Sequence, residues 1–245
     1  MSAEVSAVGV AAETGHPRTL LLIWQNPDTR VFRRVGELVE LADGMFTFRY
    51  LDGARDDGAF RPLAQFPDLE RLYGPGRLPS FFRNRVMSRH RDSYREYLRW
   101  IGLDEALDTP VEVLLRTGGS RATDTFHVVD DLRQIPGGPL VSRFFASGIR
   151  YLPGAEEALA GVALGQRLEL RPDPANAYND RAMLVAVVDG RPVGYVPEWL
   201  LEDLHELRGR ARSLSVIAEL VNLDAPSHLK LLCRVEAVLA GPAGD

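Results

Sequence analysis

The stretch Glu169–Pro197, "ELRPDPANAYNDRAMLVAVVDGRPVGYVP", decides how the second half of this chain folds. It starts as an alternating strand that Pro172 and Pro174 interrupt. A polar loop follows, with Asn176, Tyr178, Asn179, Asp180 and Arg181 crowded between two apolar runs. Asn and Asp in such a loop bond their own backbone, so a capped, solvated turn is one reading of it. Ala182–Asp189 is then a second strand, Asp189–Gly190 a tight turn, and "RPVGYVP" a third short strand.

The surrounding chain extends this pattern. Upstream, "RFFASGIRY" reads as a strand and "PGAEEALAG" as a short helix. Downstream, "PEWLLEDLHELRGR" places Trp199, Leu200, Leu204 and Leu207 on one helical face. "SLSVIAELVNL" and "HLKLLCRVEAVLA" are two closing strands. Short strands with one or two small helices predict a closed barrel, which removes exposed edges.

The first half has a different character. Leu20–Trp24, Val31–Leu38 and "MFTFRY" predict three strands, with "NPDT" and "ADG" as turns. "SFFRNRVMSRHRDSYREYLRWIGL" has Phe82, Val86, Tyr94, Tyr97, Leu98 and Ile101 at helical spacing. Asp108, Thr109 and Pro110 look like a helix start, and the glycines ending "VEVLLRTGG" like its stop. "DTFHVV" is a closing strand. The predicted class is α+β: a small N-terminal sheet with helices, followed by a small β-barrel with one or two helices. "DDLRQIPGGPLVSR" (Asp130–Arg143) is the expected junction. The expected organisation is a disordered leader over 1–18, an α+β domain over 19–132 and the barrel over 139–241.

Composition excludes several classes. The 245 residues are 45% hydrophobic and 26% charged, as in an ordinary globular protein. No apolar run approaches the ~20 residues that span a bilayer. "MSAEVSAVGVAAETGHPR" lacks a basic start, so it is not read as a signal peptide, and a cytoplasmic protein without membrane contact is expected. Cys233 stands alone in a strand-like run and reads as a buried structural thiol. The five histidines are scattered and no spacing resembles a metal site, so neither a metal nor a cofactor is expected. No Walker motif and no defensible catalytic triad occurs, so the chain is read as a non-enzyme.

Net charge is −5, yet all basic residues except Lys230 are arginines, which offer planar, stacking-competent contacts. The most basic stretch carries Arg83, Arg85, Arg89, Arg91, Arg95 and Arg99 with His90, against Asp92 and Glu96. Phosphate contacts are one reading, and a solvated helix face with ion pairs is the other. Arg116 and Arg121 flank two glycines that could form a backbone nest for an anion. In the second half, Arg150 beside Tyr151 at one strand end and Tyr195 at another make a base-stacking surface. The alternatives are that Tyr151 and Tyr195 are barrel-rim core residues and that Arg150 pairs with Glu156 or Glu157.

The order "FASGIRYLPG", "GQRLELRPDPANAY", "AMLV" and "GRPVGYVP" resembles the HIRAN domain over about residues 139–240. That family occurs alone in bacteria and fused to helicases in eukaryotes. The resemblance implies a small barrel that binds single-stranded DNA and captures its free 3′ end, in a bacterial setting of DNA repair or replication-fork processing. It implies that Arg150 and Tyr151 grip and stack, that Asn176, Tyr178, Asn179 and Asp180 form the 3′-end pocket, and that Tyr195 lines the opposite wall. Two positions depart from the family. Asn179 stands where an Asp is usual, with Asp180 one place later, and Glu198 stands where a basic residue is frequent. In the first half, the order and spacing of "RVGELVELADGMFTFRY", "PLAQFPD", "FFRN" and "VEVLLRTGG" over about Leu20–Asp131 resemble the N-terminal subdomain of HipA-type toxin kinases, without their kinase core. That implies a module for a kinase or antitoxin protein partner.

Overall fold

The structure is a computed structural model and describes residues 18–121, 124–130, 132–134 and 138–240. Residues 1–17 of the expected leader and 131 and 135–137 of the junction lie outside the described residues, while Arg18, expected in the leader, opens the first strand.

Five antiparallel strands form the first sheet: β1 (Arg18–Gln25), β2 (Phe32–Glu40), β3 (Phe46–Tyr50), β4 (Tyr73–Gly76) and β5 (Phe126–Asp130), in the order β4-β3-β2-β1-β5. The apolar run of β1 is continuous because this strand is covered on both faces. Leu20, Leu22 and Trp24 enter one core, while Leu21 and Ile23 face the other way with Val129 and Trp199. The "NPDT" turn closes as expected, with Asn26 Oδ1 accepting from the amides of Asp28 (2.9 Å) and Thr29 (3.1 Å). β4 was not anticipated, since "YGPG" has no strand-like composition. The irregular chain between β3 and β4 is tied to the core by Tyr50, whose hydroxyl donates to Phe66 O (2.9 Å) and accepts from Leu63 N (2.7 Å). Phe48 stacks on Phe66 at 4.3 Å within the same core.

The single arginine-rich helix does not form. Two short helices, α1 (Ser80–Arg83) and α2 (Tyr94–Trp100), are separated by turns. The reason is that its apolar residues serve two cores. Phe82 packs under the first sheet, whereas Tyr94, Leu98 and Ile101 join Ala225 and Leu229 of the second half. One straight stripe cannot reach both. α3 (Pro110–Thr117) starts and stops where predicted. Thr109 Oγ1 accepts from Glu112 N (3.2 Å), and Gly118 takes the left-handed C-terminal position at φ 71°.

The second sheet contains β6 (Arg133–Gln134), β7 (Leu140–Phe145), β8 (Arg167–Pro172), β9 (Met183–Ala186), β10 (Pro192–Tyr195), β11 (Ala211–Val221) and β12 (Leu231–Leu239), ordered β10-β9-β8-β11-β12-β7-β6. β6 pairs with β7, so this sheet takes in chain upstream of residue 139. The sheet curls until Ser147, just past β7, meets Tyr195 at the end of β10. Their amides and carbonyls exchange two 2.8 Å hydrogen bonds. That single bridge covers the β10 edge at Tyr195 only, so the sheet is a curled half-barrel and not the closed barrel expected from its short strands. Helices α4 (Ala155–Ala160) and α5 (Glu198–Arg210) cover the core with Leu159, Leu200, Leu204 and Leu207. Cys233 is fully buried there, and burial pushes its thiol pKa far up, which makes it an inert packing residue.

The halves pack on each other. Asn222 Nδ2 donates to Trp100 O (2.8 Å), Arg99 pairs with Asp224 (3.2 Å), and Arg34 pairs with Asp203 of α5. Among the described residues, no helix is long and apolar enough to cross a membrane.

Candidate functional site

The strand register gathers the candidate residues on one rim of the barrel. Tyr195 at the end of β10 pairs with Leu184 near the start of β9, and Pro172 at the end of β8 pairs with Met183. The loop 173–182 therefore leaves from the rim where the Ser147–Tyr195 bridge lies. Ile149–Tyr151 follows that bridge directly.

Arg150 and Tyr151 do not extend a strand, as "RFFASGIRY" had predicted. β7 ends at Phe145, and Ile149–Tyr151 is one turn of 3₁₀ helix entered through Gly148 at φ 67°. A side chain at Gly148 would be strained by that positive φ and would put its Cβ tightly against the Tyr195 ring, 3.0 Å from Cδ2. This turn anchors Ile149 in the core and leaves its neighbours outside. Tyr151 is 72% exposed, and the Arg150 guanidinium lies over its ring, 4.6 Å from the centroid, and donates to its hydroxyl. Neither expected carboxylate pairs with Arg150. Glu156 instead accepts from Lys230 (2.6 Å), and Arg150 has no ion pair among the described residues.

The "NAYND" loop realises the self-bonded turn. Asn176 Oδ1 accepts from the amides of Tyr178 (3.0 Å) and Asn179 (3.2 Å). Asn179 Oδ1 accepts from Arg181 N (2.9 Å), and its amide group reaches Glu198 Oε1 at 3.4 Å. Both Asn side-chain oxygens are thus committed to shaping the loop. What the loop projects is Tyr178, 98% exposed, with Asp180 also exposed beyond it.

Tyr195 is half-buried and donates its hydroxyl to Asp173 Oδ2 (2.9 Å), and Asp173 also accepts from Asn176 Nδ2 (3.3 Å). A relay therefore runs from the Gly148 turn through the Tyr195 ring and Asp173 to Asn176. Burial first, and Asp173 second, raise the Tyr195 pKa, so this hydroxyl keeps its proton. Burial likewise raises the Glu198 carboxyl, against the Asn179 hydrogen bond and the charge of Arg30 on the β1–β2 turn. Asp173 is the residue sequence reasoning missed. It lies inside the quoted "RPDP", but its role depends on a tyrosine 22 positions away.

The arginines of the first half are mostly spoken for. Arg85 is not a phosphate contact: its side chain is 1% exposed and pairs with Asp124 (2.6 Å). It also donates to Gly119 O (2.8 Å) and lies over the Phe81 ring at 4.2 Å. Arg89 pairs with Asp108 (2.6 Å), Arg95 with Glu105 (3.0 Å), and Arg99 with Glu96 and Asp224. Arg116 donates to Ile101 O (3.2 Å) and Gly102 O (3.0 Å), just past the end of α2. Arg83 and Arg91 are exposed and make no ion pair among the described residues.

The curled half-barrel thus carries two exposed tyrosines, an arginine stacked on one of them and a polar loop on one rim. Residues 140–240 match the family model described as the HIRAN domain. A crystal structure of a protein from Lactobacillus plantarum is similar to 42% of this chain and all of that one, with 18% identity and a TM-score of 0.35. The crystal structure of the HIRAN domain of human HLTF is 20% identical with a TM-score of 0.32, over 42% of this chain and 81% of that one. No curated protein matches the chain. The matched family segment does not include the first half, so the likeness to HipA-type proteins rests on sequence motifs alone.

Proposed function

We propose that the chain is a non-enzymatic nucleic-acid-binding protein whose barrel rim holds single-stranded DNA at its 3′ end. The observation that carries this reading is the Arg150–Tyr151 pair. An exposed ring with a cation laid on it, and without a carboxylate partner among the described residues, is a ready stacking and phosphate-binding unit. Tyr178 offers a second face on the same rim. Base stacking on such rings contributes about 1–3 kcal/mol each.

The charge distribution supports an end rather than an internal segment as the ligand. Arg150 lies on the turn that follows Gly148, while Asp173 and Asp180 lie on the loop. Carboxylates accept from a terminal hydroxyl and repel a terminal phosphate. The helicase association that the family resemblance implies supports repair or replication-fork processing as the setting.

The test is fluorescence anisotropy with labelled single strands carrying a 3′-hydroxyl or a 3′-phosphate, at low and high salt. The hydroxyl end is expected to bind more tightly, and Arg150→Ala to weaken both without lowering the melting temperature. Equal binding of both ends by the wild type removes end capture. No binding at low salt removes nucleic acid as the ligand and leaves protein-partner docking through the first half as the reading to pursue.

A further inference from the structure

The first half contains an open cavity of about 450 Å³, lined among others by Arg83, Arg89, Arg121, Met87, Asp108 and Pro110. It lies outside the matched barrel segment, on the turns that replace the expected arginine-rich helix. Three arginines line it against one carboxylate, Asp108, which is taken by Arg89. Arg85 sits behind the wall and is balanced by Asp124. Arg83 and Arg121 have no carboxylate partner among the described residues.

The cluster is also held in place. Arg121 donates to the backbone carbonyl of Asn84, next to Arg83 in the chain. Asp108 is buried and receives Arg89 Nη2 (2.6 Å) and the Tyr94 hydroxyl (2.8 Å), so Arg89 is fixed at the cavity edge. Arg121 stands close enough to Arg85 to disfavour the latter's charge, although burial is the larger cause. Like charges crowded around a hollow are relieved by an anion placed in it. Guanidinium groups suit phosphate oxygens in particular, since they donate in pairs. Met87 and Pro110 supply an apolar flank for whatever carries the phosphate, and the volume falls in the range of small-ligand sites, roughly 300–1,000 Å³.

We infer that this cavity is a second, independent phosphate-binding site, formed by Arg83 and Arg121 with Arg89 at its edge. Its ligand is a phosphate group attached to a small organic compound or belonging to a nucleic-acid strand.

Isothermal titration calorimetry of the full chain with inorganic pyrophosphate tests this, using wild type, Arg83→Ala/Arg121→Ala and Arg150→Ala. Both cavity arginines are exposed, so the double variant folds, and its melting curve confirms that. Saturable one-site binding is expected, weakened at least about tenfold in the double variant and unchanged in Arg150→Ala. Absence of saturable binding, or equal binding by the double variant, overturns the inference. A short oligothymidylate added as competitor separates the sources. Displacement of pyrophosphate assigns the site to strand phosphates, and failure to displace it excludes the strand and leaves the small phosphorylated compound; either outcome upholds the site.

Discussion

Replacing Tyr195 by Phe removes one hydroxyl and keeps the ring that packs against Gly148. The lost bond is 2.9 Å long and its acceptor is a carboxylate, Asp173. A hydrogen bond to a charged group contributes about 1.5–3 kcal/mol when buried. Tyr195 and Asp173 are both only half-buried, so water replaces part of the loss and the expected cost is about 1 kcal/mol. For a chain of this size that corresponds to a fall in melting temperature of roughly 2–4 °C. The functional effect is expected to be more telling. Without the bridge, Asp173 is held by Asn176 alone, at 3.3 Å, and the loop that projects Tyr178 loses its tie to the Arg150 turn. Preference for a 3′-hydroxyl over a 3′-phosphate end should therefore fall by about fivefold, the equivalent of about 1 kcal/mol. Thermal melting and anisotropy on the same preparation measure both quantities. A variant that loses the stability but keeps its full end preference would refute the idea that this relay positions the rim.

Arg85→Ala should destabilise the protein by about 3–5 kcal/mol, because it strands Asp124 and two backbone carbonyls, and denaturant melts read this directly. Its Kd for single strands, measured below the melting transition, should match the wild type. Burial raises the Tyr50 pKa from 10.0 to about 12, so the folded state holds that proton more tightly than the unfolded chain. The stabilisation, roughly 2–3 kcal/mol, is fully present below pH 10 and is lost as pH rises towards about 12. Urea midpoints across that window should fall in the wild type and stay flatter in Tyr50→Phe. Glu198→Gln removes a carboxylate from the rim and should tighten strand binding by about 2–5-fold at low salt, with the gain vanishing at high salt. Because the folded-state pKa of Glu198 is raised, wild-type binding should strengthen on acidification before an ordinary carboxylate titrates, and the variant should lack that step.

What the amino-acid sequence determined by itself is local. Period-two alternation specified most strands, since in a strand each side chain answers only to the face it points towards. Thr109 and Gly118 bounded α3 because caps act within one turn. The self-bonded "NAYND" loop was equally readable, as Asn176 and Asn179 act on amides two or three residues away. β4 escaped because a Gly- and Pro-rich edge strand is recruited by its neighbour and not by its own composition.

Only the tertiary structure decided which charges were free. Spacing marked Arg83, Arg85, Arg89, Arg91 and Arg95 alike, yet Asp124, Asp108 and Glu105, up to 39 positions away, neutralise three of them. The same holds for the broken helix, whose apolar residues are divided between two cores. It holds too for Asp173, which meets Tyr195 only because β9 pairs with both β8 and β10. Electrostatic and packing partners are chosen by proximity in space, and a single sequence records proximity only along the chain.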